Sequence, residues 1–274
     1  MIWVLAGTAD SHQIIKELAS LDKDLIISVT SNYGKNLYKS RYPFKVYQGK
    51  YNLSKMKDFC QEQNVETIID VTHPFAEQAS KNAIASAAEL NLDYIRFERK
   101  ELNLDKYSKD IIIKVKTYQE AAQKASQYEN IFLTTGSKTL DIFIKRLENY
   151  QKRLIARILP VTKYLESAYN SGLKPVNILA AQGPFSSEFN KAAFKEYNAD
   201  VIVTKAAGQT GGLAEKLEAA SQLKLPVIII KRPVIDYPVC YNNVDSIIEY
   251  LEGMKNEERK TTGQQKKSGC NNFN

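Results

Sequence analysis

The amino-acid sequence predicts an α/β protein with two doubly wound parallel sheets. Short β-branched and apolar runs alternate with longer helical segments along most of the 274-residue chain. Alternation of this kind forms parallel sheets that are covered by helices on both faces. Eleven strands are predicted, which is many for one sheet, and the chain is long enough for two domains of ordinary size. We therefore expect two Rossmann-like domains.

The predicted strands are the short apolar runs, taken in chain order. They cover Ile2–Leu5, Leu25–Val29, Lys45–Tyr47, Thr67–Val71, Tyr94–Phe97, Ile111–Val115, Ile131–Thr134, Leu154–Arg157, Val176–Ala180, Val201–Thr204 and Val227–Lys231. Helical periodicity is clearest at residues 12–21, where Ile14, Ile15 and Leu18 fall on one face. Alanine and isoleucine do the same over residues 76–91.

The domain boundary is predicted near residue 120. This gives an N-terminal domain over residues 1–120, a C-terminal domain over residues 121–252 and a polar, disordered tail over residues 253–274. Ligands of doubly wound sheets bind at the carboxyl ends of the strands. We therefore expect a ligand in the cleft between the two domains.

The composition favours a soluble cytoplasmic protein. Hydrophobic residues make up 43% of the chain and charged residues 25%, yet no apolar run approaches the roughly 20 residues of a membrane-spanning helix. The first residues lack the basic region of a signal peptide, and the three cysteines form no disulfide pattern. Two histidines are too few to indicate a structural metal site. We expect no metal and no membrane partner.

The formal net charge of +7 indicates an anionic partner. Sequence patterns of the common nucleic-acid-binding modules are absent, and part of the charge lies in the tail. A small polyanionic substrate or a phosphorylated cofactor accounts for the surplus as well as a nucleic acid would, and we expect no nucleic acid to bind.

Two loops of the first domain are candidates for cofactor binding. The stretch VLAGTADSHQII (residues 4–15) runs from a strand through Gly7 and Thr8 into a helix, which exposes backbone N–H groups to a phosphate. The full G-x-G-x-x-G fingerprint is absent, so an ordinary tight turn is an equal alternative. After the second strand, SVTSNYGKNL (residues 28–37) has no acid to hold a ribose 2′-hydroxyl, which favours NADPH. A turn with solvated side chains is the alternative there.

A histidine follows the fourth predicted strand, in DVTHPFAEQASKNA (residues 70–83). Thr72, His73 and Pro74 end the strand and precede an alanine-rich helix. A histidine at the carboxyl end of a parallel strand can bond a phosphate, a carboxylate or a reacting centre. A simple helix cap by Thr72 or His73 is the alternative.

Three glycine-containing turns and several basic residues mark the second half of the chain. The turns are LTTGSKTLDIF (residues 133–143), AAQGPFSSEFN (residues 180–190) and VTKAAGQTGGLAEKLEAA (residues 203–220). In the last turn Lys205 precedes exposed loop amides and Lys216 lies in the next helix, which is typical of an anion cradle. A basic rim is also predicted at strand ends, from Arg96, Arg99, Arg157 and Arg232.

Nine segments occur in a fixed order over residues 1 to about 235. They are AGTAD, SNYGKNL, DVTHPFAEQASKNA, YIRFER, TTGSKTL, RILP, QGPFSSEFN, VTKAAGQTGG and VIIIKRP. Together they resemble the precorrin-6A reductase family of cobalamin biosynthesis. The resemblance implies hydride transfer from NADPH or NADH to one double bond of precorrin-6A or cobalt-precorrin-6A, with protonation of the neighbouring carbon to give the 6B form. It also implies a polycarboxylate macrocycle as the partner of the basic rim, with no bound flavin and no catalytic metal.

The motifs, read together with the resemblance, give candidate site residues. The catalytic candidates are His73 and Lys205. The cofactor-binding candidates are Gly7, Thr8, Ala9, Asp10, Ser31, Tyr33, Gly34, Thr72, His73 and Pro74. The substrate-binding candidates are Arg96, Gly136, Ser137, Arg157, Gln182, Gly183, Pro184, Phe185, Thr204, Lys205, Gly208, Gly211, Gly212, Lys216 and Arg232.

Two departures from the family pattern bear on the site. The first loop reads AGTAD at residues 6–10 where the family has Gly-Gly-Thr-x-Glu. Ala206 and Ala207 stand where the family has Asp or Asn followed by Ser, so the proton donor stays open between Lys205 and His73. A non-catalytic NAD(P)-binding sensor is the alternative function. We expect a monomer or a weak homo-oligomer.

Overall fold

A computed structural model describes residues 1–21, 23–208 and 211–253 of the protein. The described chain divides into two compact units, one of Met1–Arg99 together with residues 235–253, and one of Lys100–Val234. The predicted disordered tail lies outside the described residues from residue 254 onward.

The strands and helices alternate along the chain as the sequence predicts. The strands are β1 (Ile2–Leu5), β2 (Leu25–Val29), β3 (Lys45–Gln48), β4 (Thr67–Asp70), β5 (Asp93–Phe97), β6 (Ile112–Val115), β7 (Ile131–Leu133), β8 (Leu154–Ile158), β9 (Ile178–Ala180), β10 (Val201–Lys205), β11 (Val227–Ile230) and β12 (Cys240–Tyr241). The helices are α1 (Ala9–Ala19), α2 (Asn32–Lys39), α3 (Leu53–Glu62), α4 (Glu77–Leu90), α5 (Tyr118–Ala125), α6 (Leu140–Arg146), α7 (Tyr150–Arg153), α8 (Thr162–Asn170), α9 (Ser187–Glu196) and α10 (Leu213–Gln222). Residues 244–253 are also helical.

The first unit contains a six-stranded sheet in the order β3-β2-β1-β4-β5-β12. Its strand pairs are all parallel. This is the strand order of dinucleotide-binding domains, and the order reverses between β1 and β4, where ligands of such sheets bind. The loops that follow β1 and β4 therefore meet at the switch point of this sheet.

The second unit contains another parallel sheet of six strands, in the order β9-β8-β7-β10-β11-β6. Its switch point lies between β7 and β10. The outermost position that β12 fills in the first sheet is filled here by β6, which precedes the other strands of this unit in the chain. The two sheets thus share one arrangement around their switch points.

Separate hydrophobic cores cover the two faces of the first sheet. Along β1, Ile2 and Val4 pack into one core with α1 and the helical residues 244–253, and Trp3 and Leu5 pack into the other with α3 and α4. Because successive side chains of a strand point to opposite faces, a strand that is buried on both faces is apolar throughout. This explains the continuous apolar runs from which the strands were predicted. Among the described residues, no helix is both long and apolar enough to cross a membrane.

The α/β fold class with two doubly wound parallel sheets is confirmed. The eleven predicted strands each match an observed strand to within two residues. The twelfth strand, Cys240–Tyr241, was not predicted because its two residues carry no periodicity. The boundary also differs from the predicted residue 120, because Ile112–Val115 pairs with β11 of the second unit and the chain returns to the first unit at Ile235.

Candidate functional site

The turn after β1 is tied to the neighbouring strand across the switch point of the first sheet. Gly7 has a φ of +122°, a conformation that favours glycine, and a Cβ added there would meet no atom within 4 Å. Thr8 is the N-cap of α1 and forms a capping box with Ser11. The hydroxyl of Thr8 also donates to the carbonyl oxygen of Val71, 3.0 Å away. This contact ties the start of α1 to the residue that follows β4.

Ser11 fixes this turn from within α1. Its Oγ accepts from the N–H groups of Gly7 and Thr8, at 3.3 and 3.2 Å, and lies 2.6 Å from the hydroxyl of Tyr38 in α2. Burial raises the pKa of Tyr38, so its hydroxyl stays protonated. An anion at this turn would therefore meet the first-turn N–H groups of α1, which begin at the exposed Ala9.

The predicted ribose loop is a capped and closely packed turn. Ser31 caps α2, and its Oγ accepts from the N–H of Gly34 at 3.1 Å. A Cβ on Gly34 would lie 3.2 Å from that Oγ and 3.3 Å from Cβ of Val29, so the turn leaves little room for a side chain. Tyr33 is 59% exposed beside it. These features explain why glycine stands at this position.

The segment from Thr72 to Pro74 directly follows β4, which pairs with β1. The alternative of a helix cap is wrong, because α4 begins at Glu77 with Ala76 as its N-cap. The Nδ1 atom of His73 accepts a hydrogen bond from the N–H of Phe75 at 3.2 Å. Because Nδ1 is the acceptor, the ring hydrogen of neutral His73 lies on Nε2.

Arg96 lies beneath this segment and not on a basic rim. The side chain is 1% exposed, in contrast to the predicted position at the surface. Its Nη1 donates to Oδ1 of Asp70 at 2.8 Å and to Oγ1 of Thr72 at 3.1 Å. Its Nε and Nη2 donate to Oε2 of Glu98 at 2.9 and 2.7 Å. The guanidinium is thus surrounded by partners from its own unit, because β5 brings it alongside the end of β4.

Asp70 is the centre of the buried polar network. Its Oδ1 also accepts from the N–H of Thr72 at 2.9 Å, and its Oδ2 accepts from Ser80 at 2.6 Å and from Tyr94 at 2.8 Å. Burial opposes the charge on Arg96, but the carboxylates of Asp70 and Glu98 raise the pKa of the guanidinium above its ordinary value. Burial, together with Asp70, raises the pKa of Tyr94. At neutral pH Arg96 is therefore charged and Tyr94 protonated.

Asp10 forms an ion pair with Arg99, another residue that was predicted to lie on the basic rim. Nη2 of Arg99 lies 2.5 Å from Oδ2 of Asp10, in the first turn of α1. Both side chains are about 10% exposed, at 10% for Arg99 and 11% for Asp10. This contact joins the chain after β5 to the helix that starts at the switch point.

The second sheet repeats the hydroxyl contact of the first. The side chain of Thr134, after β7, donates to the carbonyl oxygen of Val203 in β10 at 2.9 Å. Gly136 follows with a φ of +85°, and Ser137 then begins a short 3-10 turn. Lys205 donates through Nζ to the carbonyl oxygen of Thr135 at 3.1 Å. Three substrate-binding candidates, Gly136, Ser137 and Lys205, are therefore brought together at this switch point.

Arg157 and Lys216 are buried basic residues of the second unit, each 8% exposed. Nη1 of Arg157 donates to Oδ1 of Asn190 at 2.8 Å, and the guanidinium lies over the ring of Phe185, 4.6 Å from its centroid. Nζ of Lys216 donates to the carbonyl oxygens of Gly212 at 2.5 Å and Gly211 at 3.3 Å. Neither residue forms an ion pair within the part of the chain that the structure describes.

Burial lowers the pKa values of three basic residues, Arg157, Lys205 and Lys216, which we define as the basic cluster. Burial lowers the pKa of Arg157 to about 10. Burial and the charge of Lys138 lower the pKa of Lys205 to about 8. Burial and the charge of Arg157 lower the pKa of Lys216 to about 7, although Glu215 offsets part of this effect. For Arg157 and Lys216, which form no ion pair among the described residues, a buried positive charge is costly, and an anionic ligand would relieve that cost.

The remaining substrate-binding candidates are more scattered. Phe185 stacks on Phe189, with ring centroids 4.5 Å apart, while Thr204 is buried within β10. Arg232 donates through Nε to the carbonyl oxygen of Ala206 at 2.9 Å and approaches Glu101 at 3.8 Å. The other candidates lie in the loops at residues 182–184 and 208–212, of which residues 209 and 210 are outside the described ranges.

Sequence reasoning missed the residues that support these loops. They are Ser11, Tyr38, Asp70, Ser80, Tyr94 and Asn190. The one available signal was an aspartate at the end of an apolar strand, where a buried carboxylate needs partners. The partners themselves come from other elements, so spacing along the chain could not identify them.

The described residues contain no group of three or more metal-binding side chains.

These features define a doubly wound α/β protein with one candidate ligand site at the switch point of each sheet. A family model described as precorrin-6x reductase CbiJ/CobK matches residues 1–252. The chain therefore belongs to the precorrin-6A reductase family of cobalamin biosynthesis.

Curated relatives agree with this assignment, and one solved structure shares the fold. The chain is 39% identical to a cobalt-precorrin-6A reductase of Priestia megaterium, with 92% of this chain and 98% of that protein covered. It is 37% identical to a cobalt-precorrin-6A reductase of Methanocaldococcus jannaschii, with the same coverage of 92% and 98%. The structure of a CobK precorrin-6A reductase matches with a TM-score of 0.75 and 24% identity, covering 92% of this chain and 96% of that one. The structural likeness supports the fold.

Proposed function

We propose that this protein reduces one double bond of precorrin-6A or cobalt-precorrin-6A with NADPH or NADH to give the 6B form. Membership of the reductase family supports the reaction. The observation that carries the proposal is that the first sheet has an open glycine turn before α1 at its switch point, while the second unit holds a buried basic cluster. The first suits a phosphorylated cofactor and the second a polycarboxylate.

The first unit would hold the nicotinamide dinucleotide. Gly7 offers open space where a Cβ would otherwise stand, and the first turn of α1 offers N–H groups to the pyrophosphate. Thr8, Ala9 and Asp10 complete this turn, and Ser31, Tyr33 and Gly34, which follow β2, would contact the adenosine ribose. The bound cofactor supplies the hydride, and the protein supplies its position.

Thr72, His73 and Pro74 would contact the nicotinamide end of the cofactor. They follow β4 at the same switch point as the α1 turn. His73 acts there as a hydrogen-bond donor through Nε2, because Nδ1 already accepts from Phe75. Protonation of Nδ1 would break that bond, which favours a binding role for His73 over the transfer of a proton.

The second unit would hold the macrocycle through its acetate and propionate carboxylates. The side chains of Arg157 and Lys216 are buried and have no ion-pair partner among the described residues. At neutral pH Arg157 is charged, whereas Lys216, with a pKa of about 7, is charged in part. A carboxylate would satisfy both their charge and their remaining N–H donors. Lys205 lies in the same unit and is our candidate for the proton donor, because a lysine with a pKa of about 8 can release a proton near neutral pH.

An oxidation assay tests the proposal. The protein is mixed with NADH or NADPH, with or without precorrin-6A or cobalt-precorrin-6A, and nicotinamide absorbance is followed. We expect oxidation that requires both protein and macrocycle, with one product two hydrogens heavier than the substrate. Tight nucleotide binding without turnover on either macrocycle would contradict the proposal and favour the sensor alternative.

A further inference from the structure

We propose that Arg96 and Asp70 act as a positioning pair, which holds Thr72 and, through it, His73 in the orientation that hydride transfer requires. This rests on the proposed reductase function. The pair differs from the other candidate residues because it does not bind a ligand itself. Its effect on the reaction passes through the segment that leaves β4.

The pair holds Thr72 at two points. The carboxylate of Asp70 accepts from the N–H of Thr72 at 2.9 Å, and the guanidinium of Arg96 donates to the Thr72 hydroxyl at 3.1 Å. The two residues also bond each other at 2.8 Å. Backbone and side chain of Thr72 are therefore fixed by two connected groups, and this sets the direction of the chain toward His73.

The network holds the pair itself from several elements. Ser80 of α4 and Tyr94 of β5 fix the second carboxylate oxygen of Asp70. Glu98 binds the other side of the guanidinium of Arg96, and the ring of Tyr237 lies 5.3 Å from it. A charged group with this many partners has one available orientation, so it can serve as a fixed reference for the loop.

Burial excludes direct contact of the pair with a ligand in this arrangement. Side-chain exposure is 1% for Arg96 and 0% for Asp70. A buried ion pair adds little net stability in comparison with apolar residues of the same volume. Its double contact with a loop at the switch point is thus better explained by control of loop geometry than by stability.

A double-mutant cycle tests the proposal. The variants are Arg96→Lys, Thr72→Val and the two combined, each assayed for kcat, KM and nucleotide affinity. We expect each single variant to lower kcat by about 10- to 100-fold, as a small displacement of a catalytic group does. Because both changes break the same contact, we expect the kcat of the double variant to be close to that of the less active single variant. If the two reductions in kcat multiplied in the double variant, the proposal would be overturned, since Arg96 would then act independently of Thr72.

Two further measurements cover variants that fold poorly. Thr72→Ser keeps a hydroxyl for Arg96, so we expect it to retain most of the kcat that Thr72→Val loses; equal activity of the two would overturn the proposal. The control is Ser28→Ala, which removes the buried hydrogen bond from Nε1 of Trp3 to Ser28, 3.0 Å long, in the same sheet. We expect it to lower Tm and leave kcat unchanged.

Hydrogen exchange separates this proposal from the proposed function. In Arg96→Lys we expect faster exchange of the amides of Thr72, His73, Phe75 and Ala76 than in the native protein, whereas Ser28→Ala should leave their exchange unchanged. Unaltered exchange in Arg96→Lys would overturn the positioning role even if the native protein is an active reductase. If the native protein oxidised no nicotinamide with either macrocycle, the proposed function would fail and the exchange result would still decide whether the pair orders the loop.

Discussion

The hydroxyl of Thr8 donates a hydrogen bond to the carbonyl oxygen of Val71, 3.0 Å away. It joins the turn after β1 to the end of β4 where the strand order of the first sheet reverses. In the second sheet Thr134, which follows β7, donates to the carbonyl oxygen of Val203 within β10, at 2.9 Å. A glycine with positive φ lies next to Thr8, at Gly7, and two residues after Thr134, at Gly136. In each sheet a threonine hydroxyl thus crosses the switch point, to the residue after β4 in the first sheet and to β10 itself in the second.

The Thr8 contact predicts an effect on cofactor affinity. Thr8→Val keeps the shape of the side chain and removes the donor, so we expect nucleotide affinity to weaken roughly fivefold, as the loss of about 1 kcal/mol implies. Thr8→Ser keeps the donor and should bind nearly as well as the native protein. Calorimetric titration with NADPH and NADH measures both variants. Equal affinity of Thr8→Val and the native protein would contradict the role of this contact.

We expect a side chain at position 211 to conflict sterically with Ala207, and a second substitution to relieve this conflict. A Cβ on Gly211 would lie 2.4 Å from Cβ of Ala207, which is closer than two carbon atoms approach in proteins. We expect Gly211→Ala to lower the free energy of unfolding by about 1–3 kcal/mol. Adding Ala207→Gly should restore most of that loss. Urea denaturation measures it, and an unaffected Gly211→Ala protein would show that the loop packs differently.

We expect substitution of Lys216 to have opposite effects on stability and on substrate binding. Lys216→Met removes a buried charge, so we expect the free energy of unfolding at pH 6 to rise by about 1 kcal/mol. The same change should raise KM for the macrocycle about tenfold, because a carboxylate loses its partner. Lys191→Met is the matched control, since Lys191 donates through Nζ to Oε1 of Gln222 at the surface, at 2.8 Å. A lower stability together with an unchanged KM would assign Lys216 to the fold alone.

The pKa of Lys216 also predicts how stability depends on pH. In the folded protein this pKa is about 7, compared with an ordinary value of 10.5 in the unfolded chain. Between these values the unfolded chain binds more protons, so the free energy of unfolding rises with pH by up to about 1.4 kcal/mol per unit. The difference between native protein and Lys216→Met should show this slope above pH 7. A flat difference would contradict the burial of the ammonium group.

Macrocycle binding should respond to pH in the opposite direction. The pKa values of Lys205 and Lys216, about 8 and about 7, place the loss of their charges just above neutrality. We therefore expect affinity for the polycarboxylate to fall as pH rises through this range. Titration of the native protein at several pH values measures it, and Lys216→Met should show a weaker dependence. Affinity that stays constant from pH 6 to pH 9 would exclude the basic cluster as the carboxylate site.

The sequence predicts the fold better than the site because the two depend on different distances along the chain. Strands such as Ile2–Leu5 are buried on both faces, so their apolar character identifies them locally. The position of Arg96 depends on Asp70, Thr72 and Glu98, which only the pairing of β4 with β5 brings around it. From its position at a strand end, Arg96 was predicted to lie on a surface rim. The pairing of β4 with β5 places it in the interior. The prediction of the C-terminal part of the fold failed for the same reason. Residues 235–253 return to the first unit through a two-residue strand.

The account predicts direct transfer of a hydride to the macrocycle, and isotope labelling measures this step. The protein is mixed with precorrin-6A or cobalt-precorrin-6A and NADPH or NADH that carries deuterium at C4 of the nicotinamide, and the product is analysed by mass spectrometry and NMR. We expect one deuterium at a single ring carbon when one of the two C4 positions is labelled, and none when the other is. A reduced macrocycle without deuterium from either position, or no reduced macrocycle at all, would contradict the proposed reaction.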